Sequence, residues 1–157
     1  MATTLETAGV TLRAAVGADL DDVEHLLTAS GLPVVGVAES LDTFIVAEGQ
    51  GRVVGVVGLE MCCEHALLRS TAVSPEWRDH GLGRRLVERI IAEAESRDLR
   101  ALYLLTTTAE HYFPSFGFVK TTREAVPASV QQTAEFQTAC PASACVMCLT
   151  LPAGPAG

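Results

Sequence analysis

Positive charge is scarce in this chain. Of its 157 residues 11 are Lys or Arg against 19 Asp or Glu, a formal net charge of −8. The clustered basic side chains that neutralise a phosphate backbone are missing, so no nucleic-acid partner is expected. Long apolar runs are missing too. None approaches the roughly 20 residues of a bilayer-spanning helix, so no membrane partner is expected either. Met1 to Val10 has neither a basic n-region nor an apolar h-region, and no export signal is read there. The cysteines are Cys62, Cys63, Cys140, Cys145 and Cys148, an odd set that suits a reducing compartment and makes a cytoplasmic location the expectation. His25, His65, His80 and His111 lack ligand spacing, and no metal is expected.

What is present is the composition of a globule, 48% hydrophobic and 19% charged, long enough to bury one core without staples. We expect one domain over residues 1–151 and a frayed tail over 152–157, where Pro and Gly leave nothing to bury. Val10 to Ala14 reads as a strand. Asp19, Asp21 and Asp22 then supply the acidic first turn of a helix that Gly31 and Pro33 close. Phe44–Ala47 and Val53–Leu59 are β-branched apolar runs around Gly49-Gln50-Gly51, a hairpin signature, and Leu67–Val73 is a third strand. From Leu82 the period becomes helical, with Leu82, Leu86, Val87, Ile90, Ile91 and Ala94 on one face. Ala101–Thr107 follows as an apolar, buried strand. Ala109–Phe116 reads as a short helix closed by Gly117, Phe118–Thr122 as a strand, Glu124–Ala142 as loop and Ala144–Leu151 as the last strand. Hairpins first and a right-handed strand–helix–strand crossover later imply an α/β sandwich with a mixed sheet.

The chemistry concentrates between Thr71 and Arg84. A strand ends at Val73, Pro75 turns the chain, and Gly81 and Gly83 open the amphipathic helix. The first amides of a helix have no partner within it, and glycine lets an anion approach them closely. The pattern is no Walker loop, which needs Gly-Lys-Ser/Thr, and no dinucleotide fingerprint, because Leu86 stands where a third glycine belongs. Arg78 and Arg84 are placed to add charge-assisted bonds to phosphate oxygens.

Arg78-x-x-Gly81-x-Gly83 resembles the signature of the Gcn5-related N-acetyltransferases (GNAT), and Leu104–Ala109 and Phe113–Phe118 extend the likeness. Within that superfamily Ala66–Ser70, Glu135-Phe136 and Cys140–Ala144 look most like the arsenic-resistance N-acetyltransferase branch, which is similar to the acetyltransferase domain of N-acetylglutamate synthases. The resemblance implies a mixed, mostly antiparallel sheet with a central parallel pair splayed apart and helices on both faces. It also implies acetyl-CoA as cosubstrate and direct transfer of acetyl to the primary amine of a small molecule, an amino acid or an analogue, including an organoarsenical. Ala72, Val73, Arg78, Asp79, His80, Gly81, Leu82, Gly83, Arg84, Thr107 and Phe113 are then the coenzyme-binding candidates, with the Val73 N–H as oxyanion donor. A homodimer, common in such enzymes, is placed by analogy at the last strand.

For the general base the candidates are Glu60, at a strand end, and Glu64 behind it, since a carboxylate beside an apolar cleft gains basicity by desolvation. Each also reads as a solvated strand-end Glu. Many relatives place the acid, a Tyr, four residues before the Gly of a Gly-Phe pair. Here that position is Phe113; Tyr112 points about 100° away on a helix, so Tyr112, Ser115 or a water are the candidates. Arg69, with Ser70 beside it, is a charge inside an apolar strand and needs an anion, either a substrate carboxylate or a protein Asp or Glu. Arg123 is a second substrate candidate. Residues three apart on a strand face opposite sides, so Cys145 and Cys148 read as core packing rather than a metal clamp. A different class remains open beside the enzyme: a thiol-based metalloid binder, or a coenzyme-A sensor without turnover.

Overall fold

The computed structural model describes residues 9–78, 81–106, 111–133 and 145–151. In chain order the elements are β1 (Val10–Ala14), α1 (Leu20–Ala29), α2 (Val37–Ser40), β2 (Phe44–Gly49), β3 (Arg52–Cys62), β4 (His65–Val73), α3 (Leu82–Ser96), β5 (Ala101–Thr106), β6 (Val119–Thr121), α4 (Ala128–Gln131) and β7 (Cys145–Thr150). The strands make a seven-stranded sheet in the order β1-β2-β3-β4-β5-β7-β6. β4 and β5 run parallel, while β1/β2, β2/β3, β5/β7 and β6/β7 run antiparallel. This is the mixed, mostly antiparallel sheet expected.

The described residues fall into two compact units, and β3, β4 and α3 pass through both. In the first, Val23, Leu26 and Leu27 of α1 and Val37 of α2 bury themselves with Phe44, Val46, Val56 and Ala72. Strand alternation turns Gly55 to the other face of the sheet. There a Cβ on Gly55 would stand 2.9 Å from the Leu86 side chain of α3. Helices therefore cover both faces of this unit. α1 closes as its pattern predicts: Gly31 adopts φ +74° and the Leu32 N–H donates to the Leu27 carbonyl at 2.9 Å, satisfying the frayed helix end. At its start the Asp19 carboxylate accepts the Val16 N–H (2.8 Å) and two bonds from the Arg13 guanidinium (2.7 and 3.0 Å). That guanidinium holds the Asp19 carboxyl below its ordinary range, against the opposing effect of burial.

In the second unit Cys62, Leu67, Ala101, Tyr103, Val126, Val130 and Val146 form the core, with Leu105 and Cys148 packed against it. β7 lies between β5 and β6, and both its edges are in ladders. On the β6 side the ladder covers Val146–Cys148 only, so Cys145, Leu149 and Thr150 lie outside it on the strand where a homodimer is expected.

Several boundaries differ from expectation. β3 runs to Cys62 and β4 starts at His65, so the β3/β4 hairpin turns on Cys63 and Glu64. The apolar runs stop short of these ends because Glu60, Met61 and His65 are only partly buried or exposed. Phe113–Phe116 is a 3-10 turn rather than part of a longer helix, its proline at the start favouring a tight turn; the expected helix start, Ala109, lies outside the described residues. The segment expected to be loop includes α4 and a 3-10 turn at Arg123–Ala125, capped by the Thr122 side chain. The tail and Cys140 lie outside the described residues.

Candidate active site

β4 makes only a short ladder with its parallel neighbour. The pairs are His65↔Ala101, Ala66↔Leu102 and Leu67↔Tyr103, while β4 itself continues to Val73 and β5 to Thr106. The pairing ends just before Ser70, whose φ of +63° marks a kink in β4. A left-handed non-glycine residue inside a strand is strained, and such strain concentrates at functional sites. Among the described residues the β4/β5 ladder extends no further than Leu67↔Tyr103.

Beyond the kink the strand leads into the turn before α3. The Ser74 N–H donates to the Val54 carbonyl at 2.8 Å, and the 3-10 turn Pro75–Trp77 is closed by the Trp77 N–H on the Ser74 carbonyl (2.9 Å). The Ser74 hydroxyl is also bonded to the Glu76 carboxylate. The Trp77 ring lies 3.1 Å from where a Cβ on Gly49 would stand, so the glycine makes room for the indole that anchors the turn. The Arg78 Nε donates to the Val73 carbonyl at 2.9 Å. Arg78, expected on a phosphate, thus uses one donor to tie the turn back to the strand end.

α3 then opens from Gly81, at φ +81°, whose carbonyl accepts the Arg85 N–H at 3.1 Å. A Cβ there would meet nothing within 4 Å. Glycine at this position provides a left-handed backbone and an open approach, and the amides of Leu82 and Gly83 in the first turn lack intrahelical acceptors. These features suit a diphosphate: an accessible helix start, positive dipole end outward, at the head of a 15-residue helix. Arg84 lies half-exposed and faces Glu88 at 3.5 Å. Asp79, His80 and Thr107 lie outside the described residues.

The structure joins two candidates read separately. Arg69 is 2% exposed, and its Nη1 donates to Glu60 Oε1 at 3.0 Å. Of the two anions considered for Arg69, the protein carboxylate is present. Glu60 is not at a strand end but two residues inside β3, with its side chain 14% exposed. Glu64, in the hairpin turn, is exposed and paired with Arg100 at 3.1 Å. Ending β3 at Leu59 hid the Glu60–Arg69 pair, since the polar stretch Glu60 to His65 gives no alternation from which to place the two-residue turn.

Near Gly117, which adopts φ +103°, four aromatic rings gather. Tyr112 makes edge contacts with Phe113 and Phe116, both at 5.3 Å, and Phe113 meets Phe118 at 5.7 Å. Phe113 is buried, whereas Tyr112 is 39% exposed. The Ser115 hydroxyl donates to the Tyr112 carbonyl at 2.7 Å. Arg123 is half-buried at the start of its 3-10 turn, and its carbonyl accepts from the Gln131 side chain. Tyr103, not singled out in the sequence, packs edge-on to His65, and burial pushes its phenol up to about 12. Burial pushes the Cys62 thiol up to about 12 as well. Cys148 packs against the apolar core, as expected, and Cys145 is half-buried; Cys62 is buried in that core and Cys63 is exposed.

A kinked strand, an anchored turn and a glycine-opened helix thus follow one another within this α/β fold. Residues 40–120, more than half of the chain, match the acetyltransferase (GNAT) domain, and the chain belongs to that family. An amino-acid acetyltransferase of Pseudomonas fluorescens is 33% identical over 91 residues, 57% of this chain and 21% of that protein. The chain therefore spans about a fifth of the length of such curated relatives. The N-acetylglutamate synthase of Neisseria gonorrhoeae, solved with coenzyme A and N-acetyl-glutamate, superposes with a TM-score of 0.78 at 21% identity, over 92% of this chain and 36% of that one. A Mycobacterium tuberculosis protein solved with CoA gives 0.73 at 23% identity, over 90% of this chain and 99% of that one. These superpositions establish the shared fold. Among the described residues no helix is long and apolar enough to cross a membrane.

Proposed function

We propose that this chain transfers acetyl from acetyl-CoA directly to the primary amine of an amino acid or a close analogue. The observation that carries the reading is the run from β4 to α3, where Gly81 at φ +81° opens a long helix beside a strand end. Family membership, the amino-acid acetyltransferases among its relatives and the CoA-bound structures of its neighbours support it. When bound, acetyl-CoA supplies the activated acyl carbon and a thiol leaving group.

The residues of this chain then divide the work. The amides of Gly81, Leu82 and Gly83 hold the diphosphate, with Arg78 and Arg84 adding positive charge. The backbone of Ala72 and Val73 orients the reacting end, and the Val73 N–H receives the charge that develops on the thioester oxygen. Phe113 lines the coenzyme's path. Arg123 is the cation that receives the acceptor carboxylate, whereas the Arg69 guanidinium, with no side-chain surface exposed, is preorganised by its bond to Glu60 and holds the Glu60 carboxylate in place beside Ser70. The acceptor ammonium gives up a proton through Glu60, directly or by way of a water, with Glu64 behind it, and the departing sulfur is protonated from the side of Tyr112 or Ser115.

The test is thiol release from acetyl-CoA across amino acids, phosphinic analogues and organoarsenicals. Substrate-dependent turnover with at least one carboxylate-bearing amine is expected. Coenzyme binding without turnover on any of them would replace the enzyme with a sensor.

A further inference from the structure

Residues 123–131 cover the sheet face that carries Glu60 and Arg69. Val126 and Val130 are buried with Cys62 and Leu67, and on each strand the residue two positions away, Glu60 or Arg69, lies on that same face. The covering stretch is made of two short pieces, the 3-10 turn Arg123–Ala125 and α4, with Val126 and Pro127 extended between them. Pieces of a single turn are not held by their own backbone bonds. Val126 is only 3% exposed, so an unanswered carbonyl there would be costly. Gln131 answers it. From the last residue of α4 its side-chain nitrogen donates to the Val126 carbonyl at 2.9 Å and to the Arg123 carbonyl at 3.1 Å, one amide hydrogen for each. The Arg123 carbonyl also accepts the Val126 N–H at 3.2 Å. One side chain thus ties the end of α4 to the first residue of the turn. The backbone it pins is that of Arg123, and a guanidinium that selects by the geometry of its fork is aimed no better than the backbone that carries it.

We propose that Gln131 is a positioning residue that aims Arg123 at the acceptor carboxylate and so makes the reaction selective for amines that carry one. The inference rests on the reading of acetyl transfer and of Arg123 given above. Gln131 acts through the Arg123 backbone, without touching acceptor or coenzyme.

Steady-state kinetics with the proteinogenic L-amino acids and their C-terminal amides, at saturating acetyl-CoA, test this in the wild type, Gln131→Leu, Arg123→Leu and the double variant. The wild type should favour an acid over its amide. Gln131→Leu, of similar bulk but with both donors gone, should raise KM for the acid roughly three- to ten-fold, with kcat and the amide KM little changed. Arg123→Leu should remove the preference, and adding Gln131→Leu to it should raise KM no further, because the side chain to be aimed is gone. A residue that served stability alone would raise both KM values alike, or add its effect to that of Arg123→Leu; either result overturns the proposal. So does an unchanged acid KM in Gln131→Leu. Should Gln131→Leu fail to fold, Gln131→Met carries the same comparison. A wild type that acetylates acids and amides equally well keeps the transfer reading and overturns the role of Arg123 with this inference. One that acetylates none of them overturns the transfer reading as well.

Discussion

Removing the Glu60 carboxylate should cost far more than removing a typical surface charge. The Arg69 side chain is 0% exposed and Glu60 14%, with 3.0 Å between donor and acceptor. At an effective dielectric near 20 their attraction is roughly 5 kcal/mol, and taking one partner from a buried pair costs about 3–5 kcal/mol because the other charge stays behind. At about 2–4 °C per kcal/mol for a chain of this size, Glu60→Ala should lower the Tm by roughly 10 °C. Arg69→Met and Glu60→Leu should each cost a similar amount, and the Glu60→Leu/Arg69→Met double variant should cost little more than either one alone, giving a coupling free energy of about 3 kcal/mol or more. The same hairpin holds an internal control. Arg100 and Glu64 are 73% and 57% exposed at 3.1 Å, and their coupling should stay below about 1 kcal/mol. Chemical denaturation of both cycles provides the measurement. If the Glu60–Arg69 coupling is no larger than that of Glu64–Arg100, the burial argument fails and with it the picture of a preorganised guanidinium.

Gly81→Val should weaken coenzyme A binding at least ten-fold, while Gly51→Val, at a comparable φ of +73° and with the same open surroundings, should show a similar backbone cost of about 1–2 kcal/mol and unchanged affinity. Equal affinity losses in the two would remove the special role of the α3 start. Asp19→Asn should destabilise the protein by about 1–3 kcal/mol at neutral pH. Because Arg13 lowers the Asp19 carboxyl in the folded state, its contribution is complete above the ordinary value near 3.9 and is lost as pH falls through the folded one. Stability measured from pH 6 down to pH 2 should therefore fall more steeply in the wild type than in Asp19→Asn; parallel curves would contradict this. Iodoacetamide at pH 8 should label exposed Cys63 well before Cys62, whose thiol near 12 is ionised in about 1 molecule in 10,000. Peptide mapping that finds Cys62 labelled first would disprove the burial.

Elements with a strong period were legible in the residues. α3 follows from Leu82, Leu86, Val87, Ile90 and Ala94, all buried, and the β2/β3 hairpin from its β-branched runs around Gly51. The helix-opening glycine was also legible, since little but glycine is comfortable at φ +81°. What could not be read was what the third dimension adds. The Glu60–Arg69 pair depends on the register of a hairpin whose polar ends, Glu60 to His65, carry no hydrophobic alternation. Ser70 gives no local sign of a left-handed kink, because its conformation is imposed by the strands rather than by its own preference. The insertion of β7 between β5 and β6 was hidden for a similar reason: Cys145–Thr150 has an ordinary strand composition, and composition does not name neighbours.

That insertion bears on how the molecule is made. β6 leaves the ribosome before the strand it pairs with, and β5 exposes the edge that β7 will occupy until the same moment. The nascent chain thus carries an incomplete sheet from the synthesis of β5 until that of β7. Closure of this half waits for Cys145–Thr150 to emerge, so a pause in translation between β6 and β7 would leave strand edges open to pairing with other chains.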